Sequence, residues 1–168
     1  MTATLASALL APSLGAQDRE LHWRRMHVVA HLDREGVLHV KETQTIVFTG
    51  DWNGGERTFT HSPPQRLTFE GMVRLDTITG REFPMQEGNT DVVDGYRFAD
   101  SRRLRWRARL ESDPPFNGDE RTYRLDFSYR NILLEEGNSG KSFRIDHDFA
   151  FTDHEGPIQE YTLTLTLD

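Results

Sequence analysis

The chain of 168 residues contains no cysteine. That one absence removes disulfide frameworks, thiol nucleophiles and thiolate metal sites together. A basic excess is missing too: 20 Lys and Arg stand against 27 Asp and Glu, a net charge of −7. An acidic balance of that size favours solubility and argues against a general nucleic-acid binder. No apolar run approaches the ~20 residues that a membrane-spanning helix needs. Internal repeats, low-complexity tracts and any convincing 3.6-residue periodicity are also lacking.

What is present is length, aromatics and alternation. A chain of this size suits one domain and buries about 70% of the surface it exposes unfolded, so it folds without a crosslink or metal. Hydrophobic residues make up 36% and charged residues 28%, a polar composition that carries too many aromatics for a disordered chain.

The first residues stand apart. Thr2 to Ala16 is an uncharged stretch of leucine and small residues, and Gln17-Asp18-Arg19-Glu20 turns abruptly charged. This is the pattern of a secretory signal peptide over 1–16 with cleavage after Ala16, although no basic residue precedes the apolar run. The expectation is an exported protein with one domain over 17–168.

Beyond that point the pattern has period two. Met26, Val28, Ala30 and Leu32 share one face of a strand, and Leu38, Val40, Ile46 and Phe48 share a face of the next. Between them Asp33-Arg34-Glu35-Gly36 forms a turn, with Gly36 suited to positive φ. Gly50 to Gly55 reads as a loop, and strands are expected at 57–60, 67–75 and, more weakly, 77–83. Leu104, Trp106, Ala108 and Leu110 alternate with Arg103, Arg105, Arg107 and Arg109. Tyr123, Leu125, Phe127 and Tyr129 line a further strand, Phe143, Ile145, Phe149 and Phe151 another. The last strand spans 158–167, with Tyr161, Leu163, Leu165 and Leu167 inward and Thr162, Thr164 and Thr166 outward. Alternating strands joined by short turns predict an all-β fold with antiparallel pairing. About eight to ten strands, each with one apolar face, predict a two-sheet β-sandwich, immunoglobulin-like or jelly-roll-like.

Several clusters invite a chemical reading that the pattern does not support. Gly137-Asn138-Ser139-Gly140-Lys141-Ser142 ends like a phosphate-binding loop, but Glu135 occupies the position of its first glycine and a strand follows, not a helix. His31 and His39 face each other if Leu32 pairs with Leu38, yet a third metal ligand is missing from the pattern. In Asp146-His147-Asp148, alternation sends His147 to the apolar face beside Phe149, away from both carboxylates. Asp153-His154-Glu155 matches no calcium loop, and no nucleophile elbow of the form G-x-S-x-G occurs.

Two features remain. Glu42 and Gln44 sit on an otherwise apolar face, and a buried carboxylate needs a partner. Either the strand leaves the core there, or a bulge flips its face, or Glu42 is a site carboxylate at a sheet edge. The arginine ladder is the most distinctive surface element. Arg103, Arg105, Arg107 and Arg109 should project about 7 Å apart by strand rise. Antiparallel pairing with the following strand would set Arg124 and Arg130 beside them, and the ladder then either docks an anionic partner or pairs across strands with Asp and Glu of its neighbours.

The order of features resembles the N-terminal domain of a bacterial predicted-membrane-protein family, domain of unknown function 2207. The matching stretches are Val37 to Phe48, Leu104-Arg105-Trp106, Thr122 to Asn131, and Phe143 to Phe151 leading into Pro157-Ile158 and the terminal Thr-Leu alternation. The resemblance covers about 20 to 168. It implies a signal peptide, an extracytoplasmic β-domain and membrane helices in a following segment, so the sequence is expected to be either the front part of a longer protein or a soluble variant of the family. The family has no assigned activity, so no site residue carries over.

The resulting expectation is a non-catalytic extracytoplasmic binding module without cofactor or metal. Its partner would be an envelope protein, a polymer or a lipid headgroup, met at Arg103, Arg105, Arg107, Arg109, Arg124 and Trp52. A carbohydrate-binding sandwich using exposed aromatics such as Trp52, and a cell-envelope hydrolase, are the alternatives.

Overall fold

The computed structural model describes residues 18–136, 142–151 and 154–168. The expected signal peptide, most of the Gly137–Ser142 turn and Asp153 lie outside the described residues.

Described residues form strands and no helix: β1 (Glu20–Leu32), β2 (Leu38–Gly50), β3 (Gly54–Thr58), β4 (Arg66–Leu75), β5 (Glu82–Pro84), β6 (Gln86–Glu87), β7 (Gly95–Phe98), β8 (Arg103–Arg107), β9 (Phe116–Arg130), β10 (Leu133–Glu135), β11 (Phe143–Ile145) and β12 (Tyr161–Leu167). They make a six-stranded sheet in the order β12-β1-β2-β9-β4-β5, a four-stranded sheet in the order β3-β8-β7-β6, and the β10-β11 pair. The total exceeds eight to ten because short segments such as β6, two residues long, pair as well.

The long hairpin forms as its alternation predicts. Leu32 pairs with Leu38, and Gly36 takes φ +75° in the turn between them. Met26, Val28, Ala30, Leu38, Val40, Ile46 and Phe48 are all buried on one face. β9 completes the middle of the sheet between β2 and β4, burying Tyr123, Leu125, Phe127 and Tyr129.

The two larger sheets meet through aromatic side chains. Trp106 of β8 lies 5.4 Å from Tyr123 of β9, and Tyr96 of β7 lies 5.5 Å from Phe69 of β4, centroid to centroid. Phe59, just beyond β3, stands edge-on to Phe127 at 5.0 Å. Such offset and edge contacts add to the area they bury. Past β3 the second sheet ends, and His147, Phe149, Phe151 and Ile158 pack against the core instead. Phe151 packs edge-on to Trp23 at 5.8 Å, and His147 packs on Tyr129 at 4.7 Å.

Three expectations are corrected. Pairing is not wholly antiparallel, because β12 runs parallel to β1 and β6 to β7. The strand through Phe151 is shorter: β11 stops at Ile145 and leaves Phe143 exposed. β12 does turn its apolar residues to the core side, opposite Met26, Val28, Ala30 and Leu32, but at the sheet edge they stay exposed.

Candidate functional site

The arginines expected to form one ladder divide among three environments. β8 ends at Arg107, because Ala108 and Arg109 both donate their backbone N–H to Asn53 O, at 2.8 and 3.1 Å. That turn drives Arg109 inward, where it is 4% exposed. Its guanidinium donates to Trp52 O at 2.9 Å and Asn53 Oδ1 at 3.1 Å, and also meets Asp51 and Asp113 O. Arg109 therefore anchors the Trp52 loop and belongs to no surface.

Arg124 is elsewhere altogether. β9 pairs with β2 and β4, not with β8, so Arg124 and Arg130 never stand beside the ladder. Arg124 is held by Glu82 at 3.1 Å and by Asp126 at 3.1 Å. The Arg124 hydrogen bond holds the Glu82 carboxyl below the usual carboxylate range. Arg103 forks onto Asp100 at 3.2 and 3.0 Å. Asp100 is lowered in turn, first by the N–H of Arg102.

Arg105, Arg107 and Trp52 do come together, in a cleft of about 640 Å³. β8 supplies the two arginines from its outward positions. Arg105 donates to Glu56 at 2.5 Å and Arg107 to Thr90 O at 2.7 Å. The β7–β8 register then sets Arg97 directly opposite Arg105. Arg97 is exposed and has no ion-pair partner among the described residues. Like charges facing across strands are destabilising. With Arg19 the lining holds four arginines against Glu56 and Glu155.

Gly54 and Gly55 open the floor of this cleft. A Cβ on Gly55 would lie 2.2 Å from the Trp106 ring, so only glycine admits that ring beneath β3. Trp52 is half-buried, donates its indole N–H to Glu20 O at 2.9 Å and carries the Arg19 guanidinium 4.3 Å above its ring. The cleft's other tryptophans, Trp23 and Trp106, are buried. Its aromatic surface is therefore a single flanked ring, not a platform of exposed ones.

Sequence reasoning missed Arg97 because β7 is only four residues long. The alternation in Gly95-Tyr96-Arg97-Phe98 was the available signal.

The second polar cluster surrounds Glu42. The β2 register is unbroken there, so the strand neither leaves the core nor flips. Glu42 is 1% exposed, and Arg57 of β3, itself 2% exposed, reaches it from the other sheet. Arg57 Nε and Nη2 donate to the carboxylate at 3.0 and 2.9 Å. Gln44 also donates to Glu42 and accepts from Trp23 Nε1 at 2.9 Å. Phe151 caps the guanidinium at 4.1 Å. Every charge here is matched internally and excluded from solvent, which suits structure better than chemistry. Nearby, burial and the Arg57 charge push the His147 imidazole down to about 4.

The two facing histidines do pair, ring centroids 6.4 Å apart. His39 bonds Asp33 at 2.9 Å and His31 bonds Thr166 at 3.0 Å. Among the described residues no group of three His, Asp or Glu could hold a metal.

The fold is all-β, and a family model described as "Predicted membrane protein (DUF2207) N-terminal domain" matches residues 23–168. The chain belongs to that family. A search of curated proteins finds no match. One solved structure, described as a "putative protease" from Parabacteroides distasonis ATCC 8503, aligns at 12% identity and a TM-score of 0.33. The alignment covers 66% of this chain and 23% of that one, a likeness too slight to carry any argument. Among the described residues no helix is long and apolar enough to cross a membrane.

Proposed function

We propose that this domain is a non-catalytic binding module displayed outside the cytoplasm, which receives an anionic ligand in the Arg97–Arg105–Arg107 cleft. The compartment rests on the signal-peptide pattern of residues 1–16 and on membership of a membrane-protein family. The architecture that suits the contacts is a two-sheet sandwich, with the ring pairs of β8, β7 and Phe59 filling the space between sheets.

The observation that carries the reading is the register pair Arg97–Arg105. Glu56 offsets one of these two cations, and on an acidic protein such an unbalanced pair concentrates positive potential in a concave site. Guanidinium forks match carboxylate and phosphate oxygens. Trp52 adds an apolar wall. The ligand class is a carboxylate- or phosphate-bearing polymer or headgroup of the envelope.

Titrating the full chain with polygalacturonate and with polyphosphate, read by tryptophan fluorescence, tests it. Saturable binding that weakens as salt rises supports the proposal. Failure of both polyanions to bind at low salt contradicts it.

A further inference from the structure

The outer edge of the six-stranded sheet holds the strongest unused feature. β12 forms that edge and reads Tyr-Thr-Leu-Thr-Leu-Thr-Leu over 161–167. Every residue of it is exposed, including Leu163 at 42% and Leu165 at 43%. Exposed edges are usually blunted by lysine, proline, a bulge or a covering loop. β12 carries no charge and no proline, and its register to β1 runs unbroken.

Backbone bonds show which groups are free. Glu160 O accepts from Met26 N at 2.8 Å, and Asp168 N donates to Leu32 O at 3.1 Å. The even-numbered residues therefore turn toward β1. Among the described residues, alternation leaves the N–H and C=O of Tyr161, Leu163, Leu165 and Leu167 on the open edge.

We propose that a second copy of this chain docks on that edge, β12 against β12, antiparallel about a two-fold axis through Thr164. Leu163 then faces Leu165 of the other copy, Tyr161 faces Leu167, Thr162 faces Thr166, and Thr164 faces itself. The four odd-numbered residues become the hydrogen-bonded pairs, and they are the ones whose backbone groups are free. A slip of one residue would set leucine against threonine and misalign those groups. A two-fold contact demands a self-complementary patch, and this strand is one. The apolar side of β12 continues the core face of β1, so pairing extends that face across both copies. The flanks oppose it, since Glu160 would face Asp168. Arg25 lies 3.1 Å from Glu160, which softens the repulsion.

The chain has no cysteine, so a single introduced thiol reports cleanly. Thr164→Cys places two thiols in a non-hydrogen-bonded pair with Cα atoms about 4.5 Å apart, within disulfide reach. Thr162→Cys is the control, its two copies roughly 13 Å apart along the strand. Both sites are exposed, and circular dichroism verifies folding. Under mild oxidation the full chain bearing Thr164→Cys should become a covalent dimer, and Thr162→Cys should not. In sedimentation velocity the unmodified chain should dimerise as concentration rises, and Thr164→Lys should raise the dissociation constant severalfold by setting like charges together. A monomer at every concentration overturns the proposal. So do equal crosslinking of the two cysteine variants, or a dimer that Thr164→Lys leaves intact.

Discussion

Removing Arg57 should destabilise the fold more than any surface change. Arg57→Met leaves Glu42, 1% exposed, without its counter-ion. Glu42 would keep only the Gln44 amide, which is itself committed to Trp23 through its oxygen. Breaking one partner of a buried pair costs about 3–5 kcal/mol. Domains of this kind are stable by about 5–15 kcal/mol, so the variant should lose about a fifth or more of its stability. With a urea slope of about 2 kcal/mol/M, the midpoint should fall by roughly 2 M. Glu42→Leu should cost a similar amount, because the cation is then buried alone. The double variant should be less damaged than either single one, leaving mainly the unmet Gln44 amide at about 1–3 kcal/mol. Urea unfolding followed by tryptophan emission suits the cycle, since Trp23 bonds Gln44 directly. Single losses below about 1 kcal/mol, or a double variant whose loss is the sum of the singles, would refute the reasoning.

Other outcomes follow from the same contacts. His147 is held neutral down to about 4 when folded, so between pH ~6.5 and ~4 the unfolded chain takes up a proton that the folded one refuses. Stability should therefore fall with pH across that window, by about 1–2 kcal/mol for a half-buried ring, and His147→Phe should flatten the slope in urea titrations at several pH values. Gly55→Ala drives a Cβ to 2.2 Å from the Trp106 ring and should cost at least 1–3 kcal/mol, seen as a lower melting temperature and a shifted emission maximum. Arg97→Ser relieves a like-charge pair with Arg105, so it should raise stability by about 0.2–1 kcal/mol while weakening polyanion binding. The proposed export predicts cleavage after Ala16, so N-terminal sequencing of the mature protein should read from Gln17; a chain still carrying residues 1–16 would contradict it.

Alternation carried most of the fold. Two-residue periodicity placed β1, β2 and β9 with their buried faces, because each spans over a dozen residues and one face meets the core. It also marked Glu42 as a residue in need of a partner. It could not supply Arg57, since that contact joins two sheets and spacing along one strand says nothing about the other. The ladder failed for a related reason. Four alternating arginines imply a straight strand, but the Asn53 carbonyl captures two N–H groups beyond Arg107 and rotates Arg109 inward. Parallel pairing of β12 was equally hidden, because its Thr-Leu alternation fits either direction. Membership of the family was legible because patterned strands, unlike sheet order, are read directly from sequence.

The claim that matters most is that the cleft binds an anion through its unbalanced arginines. Its most direct test compares polyanion affinity of the full chain with those of Arg97→Ser/Arg105→Ser and Arg124→Ser. Arg124 is already held by Glu82 and Asp126, so its loss should leave affinity unchanged. Loss of the Arg97 and Arg105 pair should weaken binding by tenfold or more, about 1.4 kcal/mol. Equal affinity for all three proteins would contradict the account.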